Sequence, residues 1–350
     1  VTSTARLDVV RRAARSALAG TLERRLRSLG VGAHGTLLVA VSGGADSTAL
    51  LLLSTAVAQR RGWRIEAATV DHHLRPGSAG DAKSACATAE TLGVPCARLD
   101  VHPGAGSGAP ARARRERYAA LAAHARARGI RAVLTAHHAR DQLETMLMAM
   151  MRGAGVRAAG GMAARRRLGP DVELLRPLLE VSAEALPTLC RRLEVAWCHD
   201  PTNDDPASIR VRLRRQVIPE LEACRAGTAT RAAALASLLR SAGHRFESRA
   251  RRLVRAALED HERTGRSAID RTDLRRRSAP VRCEMIRQVL RSFSASPSSR
   301  MLSAIDLAIV DDHRHERCWR LRGGTTVRVV ADRIEFTAAD SVPDRATRRR

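Results

Sequence analysis

The chain has 350 residues, 44% of them apolar, and 61 Lys and Arg against 36 Asp and Glu, for a formal charge of +25. That length allows two domains and a sizeable core, and the charge points to a polyanionic partner. No apolar run approaches a membrane helix, Arg11, Arg12 and Arg15 are followed by no apolar leader segment, and the seven cysteines form no C-x-x-C pair; a membrane protein, a secreted protein and a zinc or iron–sulfur protein are therefore not expected, and the thiols are expected to be reduced in a cytosol. Lys83 is the only lysine. With the abundant Ala this looks like the codon bias of a GC-rich genome, but such bias exchanges Lys for Arg without creating a surplus of charge, so RNA is the expected partner.

In chain order, residues 5–29 carry an Arg-studded amphipathic pattern that predicts a helix leading into the first strand. Residues 36–41, TLLVAV, are short, apolar and bounded by Gly35 and Gly43, as a strand buried on both faces would be. Residues 47–58 are rich in Leu and Ala and predict a buried helix. Between the two stands Ser42-Gly43-Gly44-Ala45-Asp46-Ser47. A strand that passes through a glycine turn into a helix is a phosphate-binding arrangement, because the helix start offers free backbone N–H groups and partial positive charge. Gly43 and Gly44 admit close approach of an anion, Ser42 and Ser47 can donate hydroxyl hydrogens, and Asp46 makes sense beside phosphates through a divalent metal. The alternative is a plain glycine turn with Asp46 as the helix cap. The stretch is neither G-x-x-x-x-G-K-[ST] nor G-x-G-x-x-G. It resembles the pyrophosphate loop of the ATP pyrophosphatase superfamily, whose members split ATP between the α and β phosphates and adenylate a substrate oxygen.

The alternation continues: a strand over 64–70 ending at Asp71-His72-His73, a helix over 79–92, a strand over 96–101, a helix over 110–128, a strand over 132–136 and a helix over 141–151. Strands alternating with helices imply an α/β fold, a parallel sheet with helices on both faces, with ligands at the carboxyl ends of the strands. Ser42–Ser47, 71–73 and 137–141 all fall on that edge. Asp141 and Glu144 share a helix face and could hold Mg2+ and an ammonium, although the same spacing suits a solvated charged stripe. His137 or His138 could stabilise phosphate charge or take a proton. Arg114 and Arg117, also three apart, could clamp phosphate or RNA, or simply be surface charge on an Arg-rich helix.

Further strings sharpen the likeness: VDHHLRPGS (70–78), AHHARDQLET (136–145), RGAGVRAAGGM (152–162), LLRPLLE (174–180) and HDPTNDD (199–205). With the loop, they resemble the tRNA(Ile)-lysidine synthetase family, strongly over 36–222 and weakly over 240–336. The resemblance implies a ligase that adenylates O2 of the first-anticodon-position cytidine of a CAU-bearing tRNA(Ile), then lets the ε-amino group of L-lysine displace AMP at C2, giving lysidine, with ATP and Mg2+ required. It implies an adenine nucleotide α-hydrolase-like fold and a cytoplasmic enzyme. The implied catalytic set is Asp46, His137, Asp141 and Glu144, with Ser42, Gly43, Gly44, Ala45, Asp46 and Ser47 on ATP and Asp46 and Asp141 on Mg2+. Arg114, Arg117, Arg210 and Arg214 are the implied tRNA or phosphate contacts; a homodimer is compatible with all of this.

Four positions depart from the family pattern. Arg140 stands where Asp is usual, Pro110 replaces the acidic residue before the Arg pair, Val211 replaces Asn in Arg210-Val211-Arg212-Leu213-Arg214, and Pro187 falls within a helix predicted over 182–193, where proline costs about 3 kcal/mol. Residues 206–258 read as mostly helical. Helices near 279–292 and 297–310 and a β-meander of 319–321, 326–330 and 333–336 then predict a small α+β domain resembling the family's first C-terminal RNA-binding domain. The expected organisation is an N-terminal helical extension (1–35), the catalytic domain (36–222), a helical linker (223–240), a tRNA-binding domain (241–340) and a basic tail (341–350). With seven aromatic residues in all, RNA contacts should rest on Arg, phosphate and shape rather than on stacking. The competing readings are a thiolase-type tRNA-modifying enzyme, which would display paired cysteines, and a catalytically weakened tRNA-binding homologue.

Overall fold

The computed structural model describes residues 3–73, 77–104, 106, 108–153, 155–198, 208–311, 316–321 and 323–338. Positions 74–76 of the VDHHLRPGS string, HDPTNDD and the basic tail lie outside the described residues. Two compact units form. One comprises the described residues up to Met148 with Gly161–Ala236; the other comprises Ala149–Gly160 with those from Ser237 on.

The elements run α1 (Ser3–Ala14), α2 (Ala17–Ser28), β1 (Gly35–Ala40), α3 (Ala45–Arg61), β2 (Trp63–Asp71), α4 (Ser78–Thr91), β3 (Cys96–Asp100), α5 (Ala109–Ala127), β4 (Ala132–Leu134), α6 (Ala139–Met151), α7 (Val156–Ala159), β5 (Arg165–Gly169), β6 (Val172–Leu175) and α8 (Ala185–Arg192). A short helix α9 (Ile209–Arg212) passes through a π turn (Leu213–Val217) into α10 (Ile218–Cys224) and α11 (Thr228–Leu253). The single N-terminal helix expected over 5–29 is instead two, because Ser16 leaves helical backbone and its side chain caps α2 through the Ala19 N–H.

The first unit's sheet has the order β3-β2-β1-β4-β6-β5. β1 to β4 and β6 are parallel, as the alternation predicts. β5, which the alternation did not include, joins the edge antiparallel to β6. Its Arg165-Arg166-Arg167 run is exposed, so it lacked the apolar pattern of a buried strand. Both faces are covered. Leu37 and Val39 of β1 pack with Leu50 to Leu53 of α3 and with α1, α2 and α8, while Leu38, between them, packs with Tyr118, Leu121 and Ala125 of α5 on the other face. This is the period-2 alternation of a strand buried on both sides.

Pro187 needs no kink. α8 begins at Ala185, later than the predicted 182, so the proline occupies the first turn, where its missing N–H has no intrahelical partner to lose. The expectation of reduced thiols is also corrected. Cys86 of α4 and Cys96 of β3 form a disulfide, since the turn at Gly93 brings the strand back along the helix with the two Cα atoms 5.2 Å apart. Cys190, Cys198, Cys224, Cys283 and Cys318 are free.

Gly161, in the RGAGVRAAGGM string, sits at φ +63, and a Cβ there would collide with Gln142 Oε1. Gln142 is buried and doubly engaged: Oε1 accepts from the Met162 N–H at 2.6 Å and Nε2 donates to the Met162 carbonyl at 3.0 Å. Moving it away would break both bonds. Gly161→Ala should therefore destabilise by about 2 kcal/mol, combining left-handed backbone strain with a lost hydrogen bond. Differential scanning calorimetry checks this; a melting temperature equal to the parent's would contradict it.

The second unit contains α12 (Arg255–Thr264), β7 (Arg266–Asp270), α13 (Arg271–Arg275), α14 (Ala279–Ser292), α15 (Ser299–Val310), β8 (Arg317–Arg320), β9 (Thr326–Val329) and β10 (Arg333–Thr337). The predicted meander is present, and β7 adds a fourth strand by pairing with β10, in the order β7-β10-β9-β8. Its core gathers Ile286, Val289 and Leu290 of α14, Ile305 and Ile309 of α15 and Phe336 of β10. Arg271 is buried there and donates to carbonyls of Ile309, Val330 and Ala308, which accounts for a charge in the core.

Candidate active site

Two neighbouring strand ends build the site. β1 and β4 lie side by side, yet the chain leaves β1 toward β2 and reaches β4 only after β3, so the strand order reverses between them. Such a switch point opens a crevice at the carboxyl ends of the strands. Residues 42–44 follow β1 and Thr135, Ala136, His137 and His138 follow β4.

The first turn is held from within. Gly43 takes φ +82 and its carbonyl accepts from the Cys198 N–H at 2.8 Å. Ser47 Oγ accepts from the Ser42 N–H at 3.1 Å and donates to the Gly44 carbonyl at 2.9 Å. Gly44 is the N-cap of α3 and supplies no side-chain cap. Asp46 is thus no cap; its carboxylate is 44% exposed and faces the crevice. The first N–H groups of α3 remain available to an anion.

A cavity of 460 Å³ is lined by Ser42, Gly44, Asp46, Ser47, Arg117, His137, Asp141 and Arg214 of the sequence-derived set and by Asp71 and His72 of the strand end at 71–73, which the sequence placed on the same edge; Thr135 joins them. Gly43 and Ala45 shape the turn, while Arg114, Arg210 and Glu144 lie outside this lining. Glu144 is fully buried, one turn along α6 from Asp141. Arg214 grips it through Nε at 2.7 Å and Nη2 at 3.1 Å, and Arg210 Nε lies 3.2 Å away. Arg214 also reaches Asp141 at 3.5 Å. These two arginines, expected at phosphate, instead have a carboxylate between them, and the π turn at Leu213–Val217 carries Arg214 into the site. Arg140, the departure beside Asp141, turns away and pairs with Glu184. Val211, where the family pattern has Asn, is buried, which suits an apolar side chain.

The adjacent histidines divide the work that the sequence left undivided. His138 is buried behind the cavity lining with Nε2 3.4 Å from Asp46 and Nδ1 3.4 Å from Asp141. Burial pushes its pKa down, but the Asp46 hydrogen bond and the two carboxylate charges outweigh it and raise the value above 6.5. Asp141 shifts the opposite way: burial raises it, and His138, His137, a backbone hydrogen bond and Arg214 bring it below the usual carboxylate range. His137 hydrogen-bonds Thr135 Oγ1 through Nδ1 at 3.0 Å. Burial first, then Arg176, Arg114 and Arg117, push its pKa down to about 3, against the pull of Asp141. It is therefore a neutral imidazole at the cavity wall, suited to hydrogen bonding rather than to taking a proton.

A raised histidine pKa contributes stability that is complete below the unfolded value of 6.5 and fades as pH rises through the folded value. In metal-free protein, the stability lost by His138→Gln should accordingly be greatest near pH 6 and shrink toward pH 9. Melting curves of parent and variant across that range test it, and a penalty that grows with pH would contradict it.

Arg117, on the cavity wall, belongs to a cationic cluster around Tyr118. The guanidinium carbons of Arg114, Arg117 and Arg166 lie 5.2, 5.2 and 4.9 Å from the centre of the Tyr118 ring. Arg176, buried, donates to the Ala163 carbonyl at 2.7 Å. Burial and the neighbouring arginines lower the pKa of Arg114 and Arg176. Arg166 and Arg176 were not singled out in the sequence, and only LLRPLLE, which contains Arg176, held a signal for one of them.

Residues 18–221 match the family model described as the PP-loop domain. Fold and site thus define a PP-loop ATP-binding domain. A U34-tRNA thiolase from Methanococcus maripaludis shares the fold, with a TM-score of 0.51 at 16% identity over 63% of this chain and 78% of its own. Among curated relatives, the tRNA(Ile)-lysidine synthase of Salinispora arenicola is 47% identical over 53% of this chain and 56% of its own. That of Rhodococcus jostii is 39% identical over 79% of each chain, and that of Nocardia farcinica 37% identical over 85% of this chain and 86% of its own. The chain belongs to the tRNA(Ile)-lysidine synthase family. Its match spans a little over half the length of the Salinispora relative.

Proposed function

We propose that this protein converts the first-anticodon-position cytidine of a CAU-bearing tRNA(Ile) to lysidine in the cytoplasm. One observation carries the reading: the pyrophosphate loop and the His137–Asp141 turn, far apart in sequence, line one cavity at the switch point of the sheet. Cytidine O2 attacks the α-phosphorus of ATP, and pyrophosphate leaves. The ε-amino group of L-lysine then attacks C2, the C2–O2 bond breaks, AMP leaves, and a proton is lost from the amine.

The residues have parts in both steps. The N–H groups at the start of α3, with Ser42 and Ser47, hold the departing pyrophosphate. Neutral His137 and Arg117 offer hydrogens to phosphoryl oxygens. Asp46 and Asp141 present hard oxygen donors on either side of His138, a set that fits Mg2+, and they would hold it there. Bound Mg2+ would neutralise phosphate charge. Asp141 is also a cavity carboxylate for the lysine ammonium, a part that Glu144 is less placed to share while Arg210 and Arg214 hold it. Residues 36–222 would act as the catalytic domain and 241–340 as a tRNA-binding domain.

ATP–pyrophosphate exchange measured with and without tRNA(Ile) tests the reading: exchange that requires the tRNA is expected, and exchange that ignores it would overturn it. Affinity for tRNA should fall steeply with salt, by a log–log slope of up to about 0.9 per neutralised phosphate. A flat response would contradict the electrostatic part played by the +25 charge.

A further inference from the structure

β2 and β3 end together. In their parallel register Asp71 stands opposite Asp100, on the sheet edge that carries the cavity. Two residues past Asp71, His73 takes φ +50 and places its ring between the two carboxylates. Its Nε2 lies 2.9 Å from Asp100 Oδ1 and its Nδ1 3.7 Å from Asp71 Oδ2. His102 stacks on it, with ring centres 4.7 Å apart. One ligand atom each from Asp71, His73 and Asp100 falls within 4.8 Å of the other two.

The second observation is the state of Asp71. Its side chain is fully buried. Oδ1 accepts from the His73 N–H at 3.0 Å and the Ser78 hydroxyl also approaches the carboxylate, but Oδ2, the oxygen facing the ring, has no donor within hydrogen-bond distance among the described residues. The ring nitrogen at 3.7 Å is beyond hydrogen-bond reach. A buried, ionised oxygen without a donor is costly, and a cation at that point would relieve it.

We propose that Asp71, His73 and Asp100 form a binding site for a divalent first-row transition ion, of the Mn2+ type, at the rim of the nucleotide cavity. The donor set selects the class. Mg2+ favours an all-oxygen shell with several waters, whereas one imidazole among carboxylates suits Mn2+ and its neighbours. Adjacent ligands of an octahedral ion with bonds near 2.1 Å stand about 3.0 Å apart. Nε2 of His73 and Oδ1 of Asp100 already have that spacing, at 2.9 Å. Asp71 needs a small approach from the ring, which is 35% exposed. Arg98, 3.6 Å from Asp100, is itself largely exposed and competes weakly. The donors differ from Asp46 and Asp141, and the inference stands apart from the lysidine reading.

Metal-stripped protein without nucleotide is titrated with Mn2+, and electron paramagnetic resonance follows the free ion. The parent and Asp46→Asn should both bind Mn2+ at this site and show nitrogen hyperfine coupling from one imidazole. His73→Gln and Asp100→Asn, both on exposed side chains, should each weaken that binding about tenfold or more, and the coupling should disappear in His73→Gln. The proposal is overturned if the parent binds no Mn2+, if His73→Gln binds like the parent or retains the nitrogen coupling, or if Asp46→Asn alone removes the binding.

Discussion

Asp141→Asn is expected to lose on the order of 100-fold or more in lysidine formation, about 2.7 kcal/mol of transition-state stabilisation. The amide keeps the shape of the side chain and removes the charge. That charge faces His138 at 3.4 Å and Arg214 at 3.5 Å while Asp141 lines the cavity, so its loss acts on the reacting groups and on the two cations that hold it. Arg140 is the control. It is the neighbouring residue in sequence, but it pairs with Glu184, away from Asp141. Arg140→Gln should change the rate by less than about tenfold, under 1.4 kcal/mol. Labelled-lysine incorporation at saturating ATP measures both. A nearly active Asp141→Asn, or an Arg140→Gln as damaged as Asp141→Asn, would reverse the assignment.

Arg214→Met should produce the largest loss of stability, about 3 kcal/mol or more, because it strips the two-pronged partner from the fully buried Glu144 carboxylate. For a unit of this size that corresponds to a fall in melting temperature of roughly 6–12 °C. Arg210 remains at 3.2 Å and moderates the effect, but it is 38% exposed and makes its closest approach through a single nitrogen. Glu144→Gln should cost less, since it leaves two guanidinium groups that water reaches, at 33% and 38% exposure. The double variant Arg214→Met/Glu144→Met should recover part of the loss, because it removes the buried charge together with its partner. Melting of the four proteins under one condition decides the matter. If Arg214→Met melted with the parent, or the double variant melted below Arg214→Met, the pairing of Arg214 with Glu144 would not carry this stability.

How much of this was legible in the sequence depends on the range of each interaction. The strand–turn–helix around Ser42–Ser47 could be read locally, because an apolar strand, two glycines and a Leu-rich helix lie within about twenty residues. The β5–β6 hairpin could not, since Arg165, Arg166 and Arg167 give an edge strand no apolar alternation. β7 was missed for a similar reason: five residues with Ser267 and Ile269 turned inward form too short a pattern to stand out. Helical spacing placed Asp141 and Glu144 on one face, and Arg214 does touch both. It could not show that one faces the cavity and the other is sealed, because the sealing arginines come some seventy residues later. Nor could adjacency tell His137 from His138. Consecutive side chains at a strand end diverge, and which one meets carboxylates depends on α3 and α6 together. The disulfide follows from how α4 returns into β3, which a ten-residue spacing does not encode.

The most direct test of the central claim is transfer of labelled lysine to a tRNA(Ile) transcript bearing the CAU anticodon. The account predicts acid-stable label on the tRNA, one AMP and one pyrophosphate formed per lysine incorporated, and no label on a transcript whose first anticodon base is changed from cytidine. Label without ATP cleavage, label independent of that cytidine, or no label at all with intact tRNA and ATP present would contradict it.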